Sequence, residues 1–219
     1  MLSRLKYIKY AAGILTAFLL ITAVRCFAVG TLPNRKPDLY GQNTEVYISS
    51  EDADGDGIDD QTDILAGAAE YIRSRPKYKS RYYGTGYPDD GYGTCVDVVG
   101  YALNHAGYDL MKMVSDDISA DPDAYGITLQ DPAIDFRRVK NLKVYFSRHA
   151  VRLTDDIRKT GEWQGGDIVI FDNHIGIVSD RRNRDGIPYV IHHSGPFQLY
   201  YEEDILQSRN DLYGHFRIS

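Results

Sequence analysis

The sequence predicts an α+β protein, because helical periodicity in its first half gives way to short strand patterns in its second half. Apolar residues recur at helical spacing from Ile64 to Ile72, and again in the segment that follows Cys95. From residue 167 onward, short apolar runs are separated by tight turns, as in an antiparallel meander. Helices followed by such a meander are typical of α+β domains.

The helices and strands can be placed in order along the chain. The first helix ends before Pro76, and a loop rich in Gly, Tyr, Pro and Asp leads to the helix of Cys95, which ends at Gly107. Residues 131–136 are predicted to be irregular, and residues 139–146 fit either a helix or a strand. The remaining predicted elements are a helix over 110–119 and strands over 167–171, 174–179, 189–193 and 214–218.

Length and charge narrow the class of protein. A chain of 219 residues can form one domain with a sizeable core, together with an appendage. The formal net charge is −6, and no block of Lys and Arg interrupts the acidic balance. Binding to nucleic acid is therefore not expected.

The N-terminus has the features of an export signal. Three basic residues precede an apolar run from Ala11 to Val24, and no small-x-small cleavage site follows it. Residues 1–29 are therefore predicted to form an uncleaved signal anchor in the cell membrane, with a cleaved signal peptide and a secreted protein as the alternative. The positive flank predicts that the rest of the chain is extracytoplasmic.

Between this segment and the first predicted helix lie a linker over residues 30–50 and an acidic loop over residues 51–63. The loop has carboxylates at positions one, three, five and twelve and glycine at position six, which is the spacing of an EF-hand-type calcium loop. The preceding segment looks extended, so a helix–loop–helix hand is not expected. A solvated acidic turn, in which Asp63 caps the next helix, is the alternative. The predicted ligands of a structural Ca²⁺ are Asp52, Asp54, Asp56, Asp60 and Asp63.

Cys95 is the candidate nucleophile, because the only other cysteine, Cys26, belongs to the N-terminal segment. A thiol in the first turn of a helix faces free backbone N–H groups and the positive end of the helix dipole, which predicts a pKa below the usual value of about 8.5. A buried, inert cysteine is the alternative. Thr94 and Asp97 form a capping-box pattern, so Asp97 is predicted to be structural.

Histidines on the predicted strands supply a base for this thiol. His174 shares a strand face with Gly176, and the glycine is predicted to leave room for the start of the cysteine helix. A third polar group is then needed to orient the imidazole. His192 and His193 are both candidates on the next strand, on opposite faces, and a one-residue slip of register exchanges them.

Three further side chains are predicted to contact a substrate. The Tyr92 hydroxyl could join the backbone N–H of the thiol residue in an oxyanion hole. Arg137 and Arg138 could bind a substrate carboxylate bidentately. The alternative for the arginines is a structural ion pair with Asp135 or Asp131.

Several blocks of the sequence resemble known proteins. Gly-Asp-Ile-Val-Ile-Phe, His-Ile-Gly-Ile-Val and Ile-His resemble the second half of NlpC-type papain-like cell-wall cysteine peptidases. The block around Cys95, residues 134–142 and residues 163–180 more closely resemble a bacterial domain-of-unknown-function family, number 1287, within that superfamily. This resemblance extends from about Thr62 to the C-terminus.

The resemblance implies a papain-like hydrolase domain over residues 64–219 that needs no catalytic cofactor. It assigns Cys95 as nucleophile, His174 as base and His192 as orienting residue, and it implies action on peptide bonds of peptidoglycan. Wall peptidases usually carry Asp-Cys-Ser at the nucleophile, whereas valine follows the cysteine here, so their substrate contacts need not transfer.

Together these observations predict an extracytoplasmic thiol hydrolase, a peptidase or amidase. Its expected partners are peptidoglycan or another peptide substrate, and the membrane through the N-terminal helix. Two alternatives remain open, namely an acyl or peptidyl transferase and an inactive wall-binding or partner-binding module on the same fold.

Overall fold

A computed structural model of the chain has helices followed by a six-stranded antiparallel sheet, which confirms the α+β prediction. Residues 44–218 are described without a gap, and they contain the helices and strands of the domain. The residues that the structure describes are 10–11, 13–21, 23, 35–40 and 44–218.

The helices begin and end where local signals in the sequence place them. Asp59, rather than Asp63, caps the first helix by accepting a hydrogen bond from the Thr62 N–H. The segment predicted to be irregular contains a short helix that starts with a proline, and the ambiguous segment after it is helical. From residue 44 onward the helices are α1 (Asp60–Arg73), α2 (Cys95–His105), α3 (Leu110–Ala120), α4 (Pro122–Tyr125), α5 (Pro132–Asp135), α6 (Val139–His149) and α7 (Ile205–Ser208), with a 3₁₀ turn at Thr160–Glu162.

The strands form two sheets. The strands β1 (Lys77–Tyr78) and β2 (Tyr92–Gly93) pair in parallel. The large sheet has the order β3-β8-β4-β5-β6-β7, so the last strand lies in its middle, between β3 and β4, instead of extending the predicted meander. The strands of the large sheet are β3 (Val151–Arg152), β4 (Ile168–Phe171), β5 (Ile175–Arg182), β6 (Pro188–Ile191), β7 (Glu202–Glu203) and β8 (Leu212–Arg217).

Both faces of the large sheet are covered by apolar side chains, which explains why its central strands are apolar at every position. One face presents Ile175, Ile177 and Ile191 to the helices. The other face packs Val178 and Val190 against a smaller cluster around Trp163, a fully buried side chain. Burying each such side chain contributes about 1.5–3 kcal/mol to the stability of the fold. The helix α2 therefore packs on a well-stabilised sheet.

The segment predicted as a linker contacts the domain where it is described. Leu39 donates its backbone N–H to the Arg182 carbonyl at 2.8 Å. Arg35 pairs with Glu202, a fully buried carboxylate, at 3.0 Å. The described part of residues 30–50 is therefore an irregular layer on the sheet.

The predicted signal anchor covers residues 1–29, and the structure describes only residues 10–11, 13–21 and 23 of it, all helical. The rest of that prediction, including Cys26, lies outside the described residues. Within the described residues, no helix combines the length and hydrophobicity that crossing a membrane requires.

Candidate active site at one end of the sheet

The start of α2 is fixed by a buried carboxylate. The Thr94 N–H and hydroxyl both donate to Asp97 Oδ2, at 2.7 and 2.9 Å, so Asp97 holds the first turn as the capping-box pattern predicts. Arg137 then binds Asp97 bidentately, with both N–O distances at 2.8 Å. This pair positions the helix turn that carries Cys95.

The prediction that Arg137 binds substrate is wrong. Its side chain is 3 % exposed, and its donors are used by Asp97 and by the Arg81 carbonyl. Its ion-pair partner also differs from the two aspartates considered in the sequence, because Asp97 lies 40 residues away along the chain. Arg138 is half-exposed, and its Nε lies 3.9 Å from Asp135 Oδ1, which is the alternative considered for it.

Two histidines meet at one end of the central strands. Ile177 pairs with Ile191, so His192 lies opposite Gly176 and on the same sheet face as His174. His174 Nε2 and His192 Nδ1 are 2.9 Å apart. The strand register therefore brings His192, and not His193, to His174.

Gly176 has a different role from the one predicted. A Cβ at this position would lie 2.6 Å from Val190 Cγ1 and 3.2 Å from His192 Cβ. The glycine thus makes room for the neighbouring strand and for the second histidine, and not for the start of α2.

A carboxylate that sequence reasoning missed lies next to this pair of histidines. His192 Nε2 lies 3.2 Å from Glu203 Oε2, and Gln198 donates to the His192 carbonyl at 3.1 Å. Glu203 follows the buried Glu202 on β7, and the two consecutive acidic residues in a strand were the only signal available. Only the pairing of β6 with β7 shows which of them reaches the histidine.

The contacts of His192 with His174 and Glu203 favour one nitrogen of His174 as the basic one. The Glu203 carboxylate only accepts and favours a hydrogen on His192 Nε2, whereas the Gln198 amide nitrogen, 3.4 Å from the same atom, only donates. In the tautomer that the carboxylate favours, His192 Nδ1 accepts from His174 Nε2–H. The lone pair of His174 is then on Nδ1, which makes no hydrogen bond within the described residues. Burial, together with the neighbouring His192, lowers the pKa of His174 to about 3, so the ring is neutral at pH 7.

Cys95 lies at the same end of the sheet, where the start of α2 meets the backbone of Ile175, the first residue of β5. The helix α2 packs on the face that carries Ile175 and Ile191, whereas His174 and His192 lie on the face of Val178 and Val190. Burial raises the pKa of the Cys95 thiol to about 11, the charge of Asp97 adds to this, and the Ile175 N–H only partly offsets it. The direction is opposite to the prediction, because desolvation of the thiolate outweighs the helix dipole. Among the described residues, no hydrogen bond joins Cys95 to either histidine, so the resting thiol and imidazole are both neutral.

His193 points to the other face of the sheet, among tyrosines. Its Nδ1 is 3.4 Å from the Tyr71 hydroxyl, and its ring lies edge-on to Tyr78 at 5.3 Å between centroids. Burial, with a contribution from His192, lowers the pKa of His193 to about 4. Tyr71 also lies directly against Gly93, so this tyrosine cluster reaches the chain segment that leads into Cys95.

A cleft of about 410 Å³ opens beside His193. Its lining includes Arg75, Lys77, Tyr92, His193 and Gln198, and no acidic side chain is among its lining residues in the described part of the chain. Gln198 links the cleft to His192, and the Tyr92 side chain comes from the strand just before α2. The predicted substrate-binding tyrosine therefore does line a cavity at this end of the sheet.

A larger cavity lies elsewhere. It measures about 550 Å³ and is lined by Tyr47, Gln61 and Gln164, near the opposite end of β4 and β5. Cys95, His174 and His192 are not among the described lining residues of either cavity. The smaller cleft contains Tyr92, from the strand before α2, and Gln198, which donates to the His192 carbonyl, so it is the better candidate for binding a substrate.

The predicted calcium ligands separate into three groups. The carboxylates of Asp52, Asp54 and Asp56 lie within 4.8 Å of one another. Asp60 accepts from the Ala53 N–H at 2.8 Å through Oδ1 and from the Tyr108 hydroxyl through Oδ2. Because both oxygens bind protein donors, Asp60 is removed from the predicted set of calcium ligands. Asp63 is buried in the first turn of α1.

Fold and site together define an α+β protein in which a helix-borne thiol and a pair of strand-borne histidines lie at one end of an antiparallel sheet. Residues 65–218 match the family described as Domain of unknown function (DUF1287), and the chain belongs to this family. It is 37 % identical over 167 residues to the "Uncharacterized protein YijF" of Escherichia coli strain K12, an alignment that covers 70 % of this chain and 80 % of that protein. No solved structure matches the chain significantly.

Proposed function

We propose that the chain is an extracytoplasmic thiol hydrolase of the NlpC-type papain-like class, a peptidase or amidase acting on cell-wall peptides. The observation that carries this proposal is the hydrogen bond between His174 and His192, with the Glu203 carboxylate 3.2 Å from His192, at the end of the sheet where Cys95 begins α2. A thiol, a base, a residue that orients the base and a carboxylate behind it are the parts that nucleophilic catalysis requires.

In the proposed reaction, Cys95 Sγ attacks the carbonyl carbon of an amide while its proton moves to His174 Nδ1. Backbone N–H groups at the start of α2 stabilise the oxyanion. His174 then protonates the leaving amine, which departs as the thioester forms. Water, deprotonated by His174, attacks the thioester, and the acid leaves as the thiol recovers its proton.

The neutral resting state suits general-base catalysis. Because His174 is unprotonated at pH 7, it is ready to accept the thiol proton as the substrate carbonyl arrives. The negative charge of Glu203, which lies 3.2 Å from His192 Nε2, favours the imidazolium formed in this step. The role of Glu203 is therefore to stabilise a charge that exists only during the reaction.

The positive charge in the lining of the 410 Å³ cleft favours an acidic substrate. Arg75 and Lys77 lie in this lining, in a protein whose net charge is −6. A peptide with free carboxylates, as in the stem peptides of peptidoglycan, would be attracted to this surface. The predicted membrane anchor would hold the domain on the extracytoplasmic side, where such peptides occur.

Digestion of purified muropeptides by the full chain, followed by mass spectrometry of the products, tests this proposal. We expect cleavage by the parent protein, none by Cys95→Ala, and a rate lower by about 10²–10⁴-fold for His174→Ala. Cys26→Ala is the matched control, because it removes the other cysteine, and it should cleave as the parent does. Equal cleavage by the parent and by Cys95→Ala would refute the proposal, and so would an intact substrate with every protein.

A further inference from the structure

We infer that residues 52–63 form a Ca²⁺ site whose carboxylate ligands are Asp52, Asp54, Asp56 and Asp63, without Asp60. This site is separate from the proposed hydrolase centre, and it lies before the segment that matches the family.

The first part of the site is a turn that gathers three carboxylates. Asp52 accepts from the N–H groups of Gly55 and Gly57, at 2.8 and 3.0 Å, and Asp56 accepts from Ile58 at 2.8 Å. Gly57 has φ of +93°, a conformation that favours glycine. The chain is thus bent so that three like charges stand within 4.8 Å, an unfavourable arrangement that a hard divalent cation would reverse.

Asp63 is the second, independent observation. Asp63 is 2 % exposed, and its Oδ2 atom has no hydrogen-bond partner among the described residues. Its other oxygen lies 3.7 Å from His105 Nδ1. His105 lies two residues before Gly107, against which Asp54 packs, so the orphaned carboxylate of Asp63 lies at the same end of α2 as the acidic turn. A buried carboxylate oxygen without a donor, at the end of α2 on which the acidic turn packs, has the chemistry of a fourth cation ligand.

The site would connect the start of α1 to the end of α2. Gly107 follows α2 with φ of +82°, and a Cβ there would lie 2.9 Å from Asp54 Cβ, so the acidic turn packs directly on this position. Asp60 and Tyr108 add a hydrogen bond between the same two segments. A bound Ca²⁺ would therefore brace the end of α2 that is opposite Cys95.

Calorimetric titration of the chelator-treated full chain with CaCl₂, and separately with MgCl₂, tests the site. We expect one Ca²⁺ per chain and weaker binding of Mg²⁺, because Mg²⁺ demands a tight octahedral shell and retains its waters. At a hundredfold excess of Ca²⁺ over Kd, Tm should rise by about 5–10 °C relative to EGTA. Absence of binding heat, or Mg²⁺ binding as tightly as Ca²⁺, would overturn the inference.

Single variants test the ligand set. Asp54→Asn and Asp63→Asn should each weaken Ca²⁺ binding by roughly tenfold or more, since affinity follows the number of ligand charges. Asp60→Asn should bind like the parent, and so should Asp123→Asn, an exposed aspartate that serves as control. Undiminished binding by Asp63→Asn, or its loss in Asp60→Asn, would refute this ligand set.

Melting temperatures without Ca²⁺ provide a further test, because Asp54→Asn should change Tm in opposite directions with and without the ion. In EGTA, Asp54→Asn should melt at the same temperature as the parent or higher, because it removes a repulsive charge, whereas in Ca²⁺ it should melt lower. A purely structural aspartate would lower Tm equally in both conditions. Should Asp63→Asn fail to fold, the titration and melting of Asp54→Asn decide the inference.

Discussion

The two ends of the β4–β5 hairpin hold buried polar clusters of opposite character. Asp167, at one end, is fully buried and accepts from both Arg217 donors at 2.7 and 2.9 Å, from His215 at 2.8 Å and from Gln61 at 2.9 Å. His174, at the other end, makes one hydrogen bond through Nε2 and none through Nδ1 within the described residues.

The difference separates a structural cluster from a candidate functional one. A buried carboxylate whose partners include two cationic donors is stabilising only while all of them remain in place. A buried imidazole whose pKa is lowered by burial instead makes the protein less stable as the pH falls, and its free nitrogen is available to a substrate. Both ends are buried, and they differ in that Asp167 has hydrogen-bond partners for both of its oxygens, whereas His174 has a described partner for Nε2 alone.

Asp167→Ala should have the largest effect on stability. It leaves the Arg217 charge and the His215 ring without their carboxylate, so the free energy of unfolding should fall by about 3–5 kcal/mol. Urea denaturation measures the change. The control is Asp172→Ala at the other end of β4, where the side chain is 74 % exposed and, among the described residues, pairs with Lys143 alone. There the loss should be about 0–1 kcal/mol. Similar losses for both variants would remove the distinction between the two ends.

The pH dependence of stability should come from the histidine end. The pKa values of folded His174 and His193, about 3 and about 4, lie below the unfolded value of about 6.5. Below pH 6.5 the unfolded chain therefore binds protons that the folded protein does not, and the free energy of unfolding falls as pH falls. Between pH 6.5 and 4.5 the contribution of each histidine should grow from about 0.7 to at most about 1.4 kcal/mol per pH unit, as the unfolded imidazole becomes fully protonated.

Urea titrations across this pH range measure the slope. His193→Gln should reduce the slope by the share of one histidine, while the slope above pH 7 stays unchanged. A parent protein whose stability is constant between pH 6.5 and 4.5 would contradict the neutral, buried state of these rings.

Glu203→Gln should have the smallest effect on stability, below about 1 kcal/mol, because the side chain is one-third exposed and the amide oxygen still accepts from His192. Its effect on the proposed reaction should be larger, with kcat lower by roughly tenfold, since the imidazolium loses a stabilising charge. The acidic limb of the kcat/KM profile should move to lower pH, because the protonated form of the base becomes less favourable.

Glu162→Gln is the matched control for this variant, as Glu162 is exposed and pairs only with Lys159. A lower kcat with an unshifted pH profile would indicate that Glu203 acts only on folding or packing, and not on the two histidines.

Local patterns predicted much of the fold. The periodicity of Ile64–Ile72 and the helix start at Cys95 depend on residues within a few turns, and both are present in the structure. The Thr94–Asp97 cap is equally local, because its donor and acceptor are three residues apart. The class, the thiol at a helix start and the histidines near strand ends were therefore accessible from the sequence.

Long-range contacts decided the rest. The choice between His192 and His193 depends on strand register, and the partner of Arg137 lies 40 residues away. The direction of the Cys95 pKa shift depends on how deeply folding buries the thiol, a quantity that no local pattern contains. The sequence by itself thus determined which chemical groups are present and on which elements, whereas the tertiary structure alone decided their partners and protonation, because hydrogen bonding and desolvation depend on neighbours that only folding brings together.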